Sequence, residues 1–131
     1  MDSPPASVLV VEDNPDTADS LARFLRLAVG YDVRVAYDGA AGVKAALADP
    51  PDAVVCDISL PRVHGLRVAE EIVAGLKVKP LLIALTALGG IYPEDDARAA
   101  GFDHWLTKPA DPFAIERLVN EHVLRTRTGP I

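Results

Sequence analysis

Cysteine is almost absent from this sequence, and long apolar runs and clusters of basic charge are missing altogether. A single thiol, Cys56, rules out an internal disulfide framework. Set among apolar neighbours it reads as a small core residue, which fits a reducing cytoplasm. No stretch approaches the ~18 consecutive apolar residues of a membrane span, and the start Met1-Asp2-Ser3-Pro4-Pro5 lacks the cationic and apolar regions of an export signal. The expectation is a soluble, cytoplasmic protein with no membrane contact. Basic residues number 13 against 19 acidic ones, for a net charge of −6. With no basic stripe to follow a phosphate backbone, direct nucleic-acid binding is disfavoured. There is no internal repeat, and low complexity is confined to the Pro/Ser-rich start.

What is present suffices for one compact domain: 131 residues, half of them apolar. Residues 1–7 read as a flexible tail, 8–124 as the folded domain and 125–131 as a short polar tail. Within the domain, Val8-Leu9-Val10-Val11, Ala53-Val54-Val55-Cys56 and Leu81-Leu82-Ile83-Ala84-Leu85 are continuous apolar runs, the habit of strands buried on both faces of a parallel sheet. Val33-Arg34-Val35-Ala36 alternates instead, which suggests an edge, and His104-Trp105-Leu106-Thr107 supplies a fifth strand. Between them lie helical patterns. The first starts near Asp16, carries Leu21, Phe24, Leu25 and Ala28, and stops at Gly30. The second, Ala40 to Ala48, follows the Asp38-Gly39 turn. A third carries Leu66, Ala69, Ile72, Val73 and Leu76. The fourth is delayed by Gly89-Gly90, is confined to about Pro93 to Ala100, and is expected to be short and loosely anchored. The last is capped by Asp111, opened by Pro112, and turns Ile115, Leu118, Val119, His122 and Val123 inward. Five strand-then-helix repeats with right-handed crossovers imply an α/β fold with helices on both faces of a parallel sheet.

The polar residues fall at the strand ends. The first strand runs into Glu12-Asp13, the third into Asp57, the fourth into Thr86 and the fifth into Lys108-Pro109. In a parallel sheet these ends share one side, where open α/β folds bind ligands. Three carboxylates gathered there repel one another by roughly 4 kcal/mol per pair at ~4 Å and an effective dielectric near 20. Positive charge must offset this. Lys108 offers one unit, and a hard divalent cation such as Mg²⁺ offers two through oxygen ligands and waters. A carboxylate left over can then serve as a nucleophile toward phosphorus, with Thr86, Lys108 and loop N–H groups neutralising the phosphoryl oxygens.

Taken together, Glu12-Asp13, Asp57 followed by Pro61 and Gly65, Thr86-Ala87 and Lys108-Pro109, in this order and each at a strand end, resemble the receiver domain of two-component response regulators. The resemblance covers about residues 8 to 124. It implies a flavodoxin-like (βα)5 fold with strand order 2-1-3-4-5. It further implies that Asp57 accepts a phosphoryl group from a histidine kinase or a histidine phosphotransfer protein, in a switch whose only catalysis is directed at itself. Mg²⁺ would be held by Glu12, Asp13, Asp57 and the Ser59 carbonyl, and phosphoryl oxygens by Thr86 and Lys108. Lys108-Pro109 would be a cis peptide, which X-Pro bonds adopt at little cost. Coupling would run from Thr86 to Trp105, where the family more often has Tyr or Phe, and the downstream partner would be an effector or a second copy in a phosphorylation-dependent homodimer.

Three rivals share some of these features. A pseudo-receiver scaffold would ordinarily have lost Asp13, Asp57 or Lys108, and all three are here. A flavodoxin needs a hydroxyl- and glycine-rich phosphate loop where this chain has Glu12-Asp13-Asn14-Pro15. An Mg²⁺-dependent phosphohydrolase would turn over phosphate esters. His64, His104 and His122 have no metal-like spacing and read as surface or edge residues.

Overall fold

A computed structural model of the chain describes residues 4–58, 65–87 and 94–128. Five parallel strands, β1 (Ser7–Val11), β2 (Asp32–Ala36), β3 (Ala53–Asp57), β4 (Leu81–Thr86) and β5 (His104–Thr107), form one sheet in the order β2-β1-β3-β4-β5. Helices α1 (Pro15–Phe24), α2 (Gly39–Ala48), α3 (Gly65–Gly75), α4 (Glu94–Ala100) and α5 (Pro112–Thr128) follow the strands in turn. This is the flavodoxin-like arrangement that the resemblance to receiver domains implied.

The apolar runs are continuous because the sheet is covered on both sides. Successive strand residues alternate faces. Val8, Val10 and Val55 accordingly join the Leu25, Ile115 and Val119 side chains of the α1–α5 layer, while Leu9, Val11, Val54 and Cys56 join Val68, Ile72 and Phe102 on the other. Each aliphatic side chain fully buried in this way contributes about 1.5–3 kcal/mol. β2 lies at one edge, as its alternation suggested.

The helix ends follow local chemistry. Asn14 accepts a hydrogen bond from the Thr17 N–H at 3.1 Å with Pro15 in the first turn, and Asp38 accepts from the Ala41 N–H at 2.7 Å. Asp111 accepts from the Phe113 N–H at 2.9 Å, closing the start of α5. α1 passes into a π-helical turn, Leu25–Val29, before Gly30 ends it at φ 87°, a conformation glycine adopts without a Cβ penalty. The periodicity of Leu21, Phe24 and Leu25 gave no sign of that widening. α4 is a seven-residue helix that buries Ala97 and Ala100; Gly89, Gly90 and Pro93 lie outside the described residues.

Both expected tails are shorter than the sequence suggests. β1 begins at Ser7, and Ala6 is buried and accepts a hydrogen bond from the Asp32 N–H at 2.9 Å. The polar segment from Arg125 is helical through Thr128. Arg127 explains both differences, since its guanidinium donates to the Pro4 carbonyl at 2.5 Å and reaches Asp52 Oδ2 at 3.3 Å. The same Asp52 oxygen accepts the Ser7 N–H at 2.8 Å. One arginine thus ties the end of α5 to the start of the chain.

Candidate functional site

The carboxyl ends of β1, β3 and β5 meet in one acidic pocket. Glu12 follows β1, its N–H bonded to the Ala36 carbonyl at 3.0 Å, and the residue is only 1% exposed. Asp57 ends β3 and is 3% exposed; its position is fixed by pairing with Leu85 and by the Ile58 N–H donating to the Leu85 carbonyl at 3.1 Å. Asp13 is exposed at the rim. Oxygens of Glu12, Asp13 and Asp57 lie within 4.8 Å of one another.

Lys108 supplies the offsetting charge. Its N–H is held by the Thr86 carbonyl at 2.8 Å, and the Lys108–Pro109 peptide is cis. From there Nζ donates to Asp57 Oδ2 at 2.6 Å and to Glu12 Oε1 at 2.9 Å. Burial works against the ammonium, but the two carboxylates outweigh it and hold the Lys108 pKa above its ordinary value. Glu12 is also shifted upward, away from a free carboxylate. Burial is the largest cause of its raised pKa, assisted by Asp13 and by the charge of Asp57, and opposed by Lys108 and the Asn14 N–H. Cys56, one residue before Asp57, is fully buried, and burial together with the Asp57 and Glu12 charges pushes its thiol up, so it stays protonated and inert.

The other residues named from sequence lie around this centre. Thr86 ends β4, half-buried, and its hydroxyl reaches the Leu106 carbonyl at 3.5 Å, beyond the usual range for O–H···O and so only weakly held. Trp105 is half-buried against the α2–α4 layer, and the Arg98 guanidinium of α4 sits 5.1 Å from its ring centroid. That partner was not visible in the sequence. Ser59, Pro61 and His64 lie outside the described residues. Gly65 opens α3 where a Cβ would collide with the Ile58 Cα and come within 2.6 Å of the Asp57 carbonyl oxygen. The backbone of α3 therefore rests directly on the turn that carries Asp57. Beside Lys108 and Pro109 runs an open groove of about 650 Å³, walled by Thr17, Leu21 and Phe24 of α1.

An all-oxygen, anionic donor set with one exposed member suits a hard cation that keeps waters, and does not suit metals that seek thiolate. The residues present therefore fit Mg²⁺.

Comparison with known proteins agrees with this geometry. A family profile described as the response regulator receiver domain matches residues 8–120. The chain belongs to that family. This receiver is 36% identical over 127 residues to the response regulator MprA of Mycolicibacterium vanbaalenii, covering 96% of the chain and 53% of that protein. It spans about half the length of the curated relatives it matches. Among solved structures, a response regulator from Chloroflexus aurantiacus superposes with a TM-score of 0.81 at 29% identity, over 92% of this chain and 99% of that one. The receiver domain of the sensor histidine kinase PA1611 from Pseudomonas aeruginosa, described with a magnesium ion coordinated in its active-site cleft, gives a TM-score of 0.81 at 29% identity over 91% and 98%. The receiver is thus a signalling domain of the two-component type, and among its described residues no helix is long and apolar enough to cross a membrane.

Proposed function

We propose that this receiver takes a phosphoryl group on Asp57 from the phosphohistidine of a histidine kinase or phosphotransfer protein, in the cytoplasm, and relays its state to an effector or to a second receiver. The observation that carries the reading is Lys108 Nζ placed between Asp57 and Glu12, at 2.6 and 2.9 Å, with Asp13 beside them. In the transfer, an Asp57 carboxylate oxygen forms a bond to phosphorus as the phosphorus–nitrogen bond of the donor breaks. The imidazole leaves with the electron pair and regains its proton from solvent or its own protein. Lys108 holds one Asp57 oxygen and pairs with the phosphoryl charge. The Thr86 hydroxyl, weakly held by the Leu106 carbonyl, is available to donate to a phosphoryl oxygen. Glu12, Asp13, Asp57 and the Ser59 carbonyl would hold Mg²⁺, which when bound neutralises the carboxylates and the phosphoryl oxygens; the magnesium described for the 29% identical Pseudomonas receiver supports this. The groove along α1 gives a donor side chain an approach to Lys108 and its neighbours.

Intact mass after treatment with acetyl phosphate and Mg²⁺ tests the proposal. One phosphoryl adduct, labile to hydroxylamine and lost in Asp57→Asn, is the expected result. A phosphoryl adduct that persists in Asp57→Asn moves the acceptor elsewhere.

A further inference from the structure

The amino ends of β4 and β5, on the opposite side of the sheet from Asp57, enclose a second cleft of about 280 Å³. Its titratable groups are Lys79 before β4, Asp103 and His104 at the start of β5, and His122 and Arg125 on α5. In a chain of net charge −6, four of these five are basic.

The one carboxylate is already committed. Asp103 Oδ2 pairs with Lys79 Nζ and accepts the Leu82 N–H at 2.9 Å. The nearby Asp52 carboxylate is engaged by Arg127 and the Ser7 N–H. Arg125 makes no ion pair among the described residues. His122 is half-buried and its pKa lies below the ordinary imidazole value, from burial first and then the Arg125 charge, with Lys79 adding to them and Asp103 and Asp52 opposing. The cleft therefore has donors and positive charge in place but no counter-charge for Arg125.

We propose that this cleft binds a small free oxyanion of the phosphate class, held between the Arg125 guanidinium and the imidazoles of His122 and His104. Guanidinium and imidazolium groups are charge-assisted donors matched to tetrahedral oxyanions. A cleft of about 280 Å³ has room for such an ion together with some of its hydration water. Anion charge beside His122 favours its protonated form, so binding takes up a proton and tightens as the solution is acidified. Lys79, Asp103, Asp52, His104 and Arg125 are the titratable and charged groups that face this imidazole.

Residue-resolved NMR of the full chain in EDTA, titrated with millimolar inorganic phosphate at about pH 6 and with sulfate, a tetrahedral oxyanion whose charge does not change, at about pH 6 and about pH 8, all referenced to chloride of equal ionic strength, tests the proposal. Saturable shifts of the His122 and His104 side chains are expected, with several-fold tighter sulfate binding at the lower pH. Arg125→Gln, at an exposed position that does not endanger folding, should weaken binding roughly tenfold. Shifts equal to those in chloride, shifts centred on Lys108 instead, or unchanged affinity in Arg125→Gln overturn it. A phosphoserine peptide titrated in parallel identifies the source: weaker binding than free phosphate supports the free ion, and tighter binding overturns that assignment in favour of a phosphorylated chain.

Discussion

Replacing Lys108 by methionine keeps the length and most of the packing of the side chain but removes the ammonium that bridges Glu12 and Asp57. Both carboxylates, 1% and 3% exposed, then lose this ion pair. Breaking a buried ion pair from one side costs roughly 3–5 kcal/mol. The Lys108 side chain is 31% exposed, so solvent screens part of this and about 2 kcal/mol is the reasonable figure. For a domain of this size that lowers the melting midpoint by roughly 8 °C. The pH dependence follows from two shifts. Lys108 has its folded pKa raised above 10.5, so its contribution is fully present below that value and is lost only as pH rises through the folded pKa. Glu12 has its folded pKa raised above 4.5, so the folded state holds the extra proton, and stability falls as pH rises from 4.5 through the folded value. Without Lys108 that fall should be larger and should extend to higher pH. Urea unfolding in EDTA at about pH 5 and about pH 7.5 should therefore show a gap between wild type and Lys108→Met that widens at the higher pH, and Mg²⁺ should narrow it. A gap of under about 0.5 kcal/mol at both values, the size of an ordinary surface substitution, would refute the view that this ammonium neutralises the pocket.

Three further outcomes are expected. Asp13→Ala should weaken Mg²⁺ binding severely by removing a carboxylate ligand, yet melt in EDTA at the wild-type midpoint or above it, because one like-charge repulsion is gone; a large fall in midpoint would show Asp13 to be structural. Gly65→Ala places a methyl group against the Asp57–Ile58 backbone and should cost about 1–3 kcal/mol in urea unfolding while slowing phosphorylation of Asp57, whereas a neutral result would mean that α3 does not rest on that turn. Trp105 emission should change on adding beryllofluoride with Mg²⁺, and Thr86→Ala should blunt the change without affecting Mg²⁺ binding; a spectrum unmoved in protein shown by NMR to be occupied would leave Trp105, stacked under Arg98, as packing alone.

The sheet was legible because Val8 to Val11, Ala53 to Cys56 and Leu81 to Leu85 are buried on both faces, so their apolar character is unbroken and their polar ends stand out. The gathering of Glu12, Asp13, Asp57 and Lys108 followed from parallel topology alone. What the sequence did not carry were contacts made across it. Glu12 and Asp13 look alike as a loop pair, yet one is 1% exposed and bonded to Lys108, 96 positions away, while the other faces solvent. Arg127 reads as part of a polar tail until Pro4, Pro5 and Asp52 are seen around it. Gly65 could be quoted as part of a pattern, but its cause, the Asp57–Ile58 backbone lying against it, is a matter of packing. The weak hold of the Leu106 carbonyl on Thr86 and the stacking of Arg98 on Trp105 depend on side-chain orientation, which no periodicity encodes.

Reduction of the phosphorylated receiver with sodium borohydride, followed by peptide mass mapping, tests the assignment of Asp57 most directly. Borohydride reduces an acyl phosphate to the alcohol and leaves free carboxylates intact, so it marks the acceptor in the wild-type protein with no substitution needed. Homoserine at position 57, formed only after treatment with both phosphodonor and Mg²⁺, is the predicted result. Homoserine in place of Asp13, or an unreduced Asp57 in protein whose intact mass shows the adduct, would contradict it.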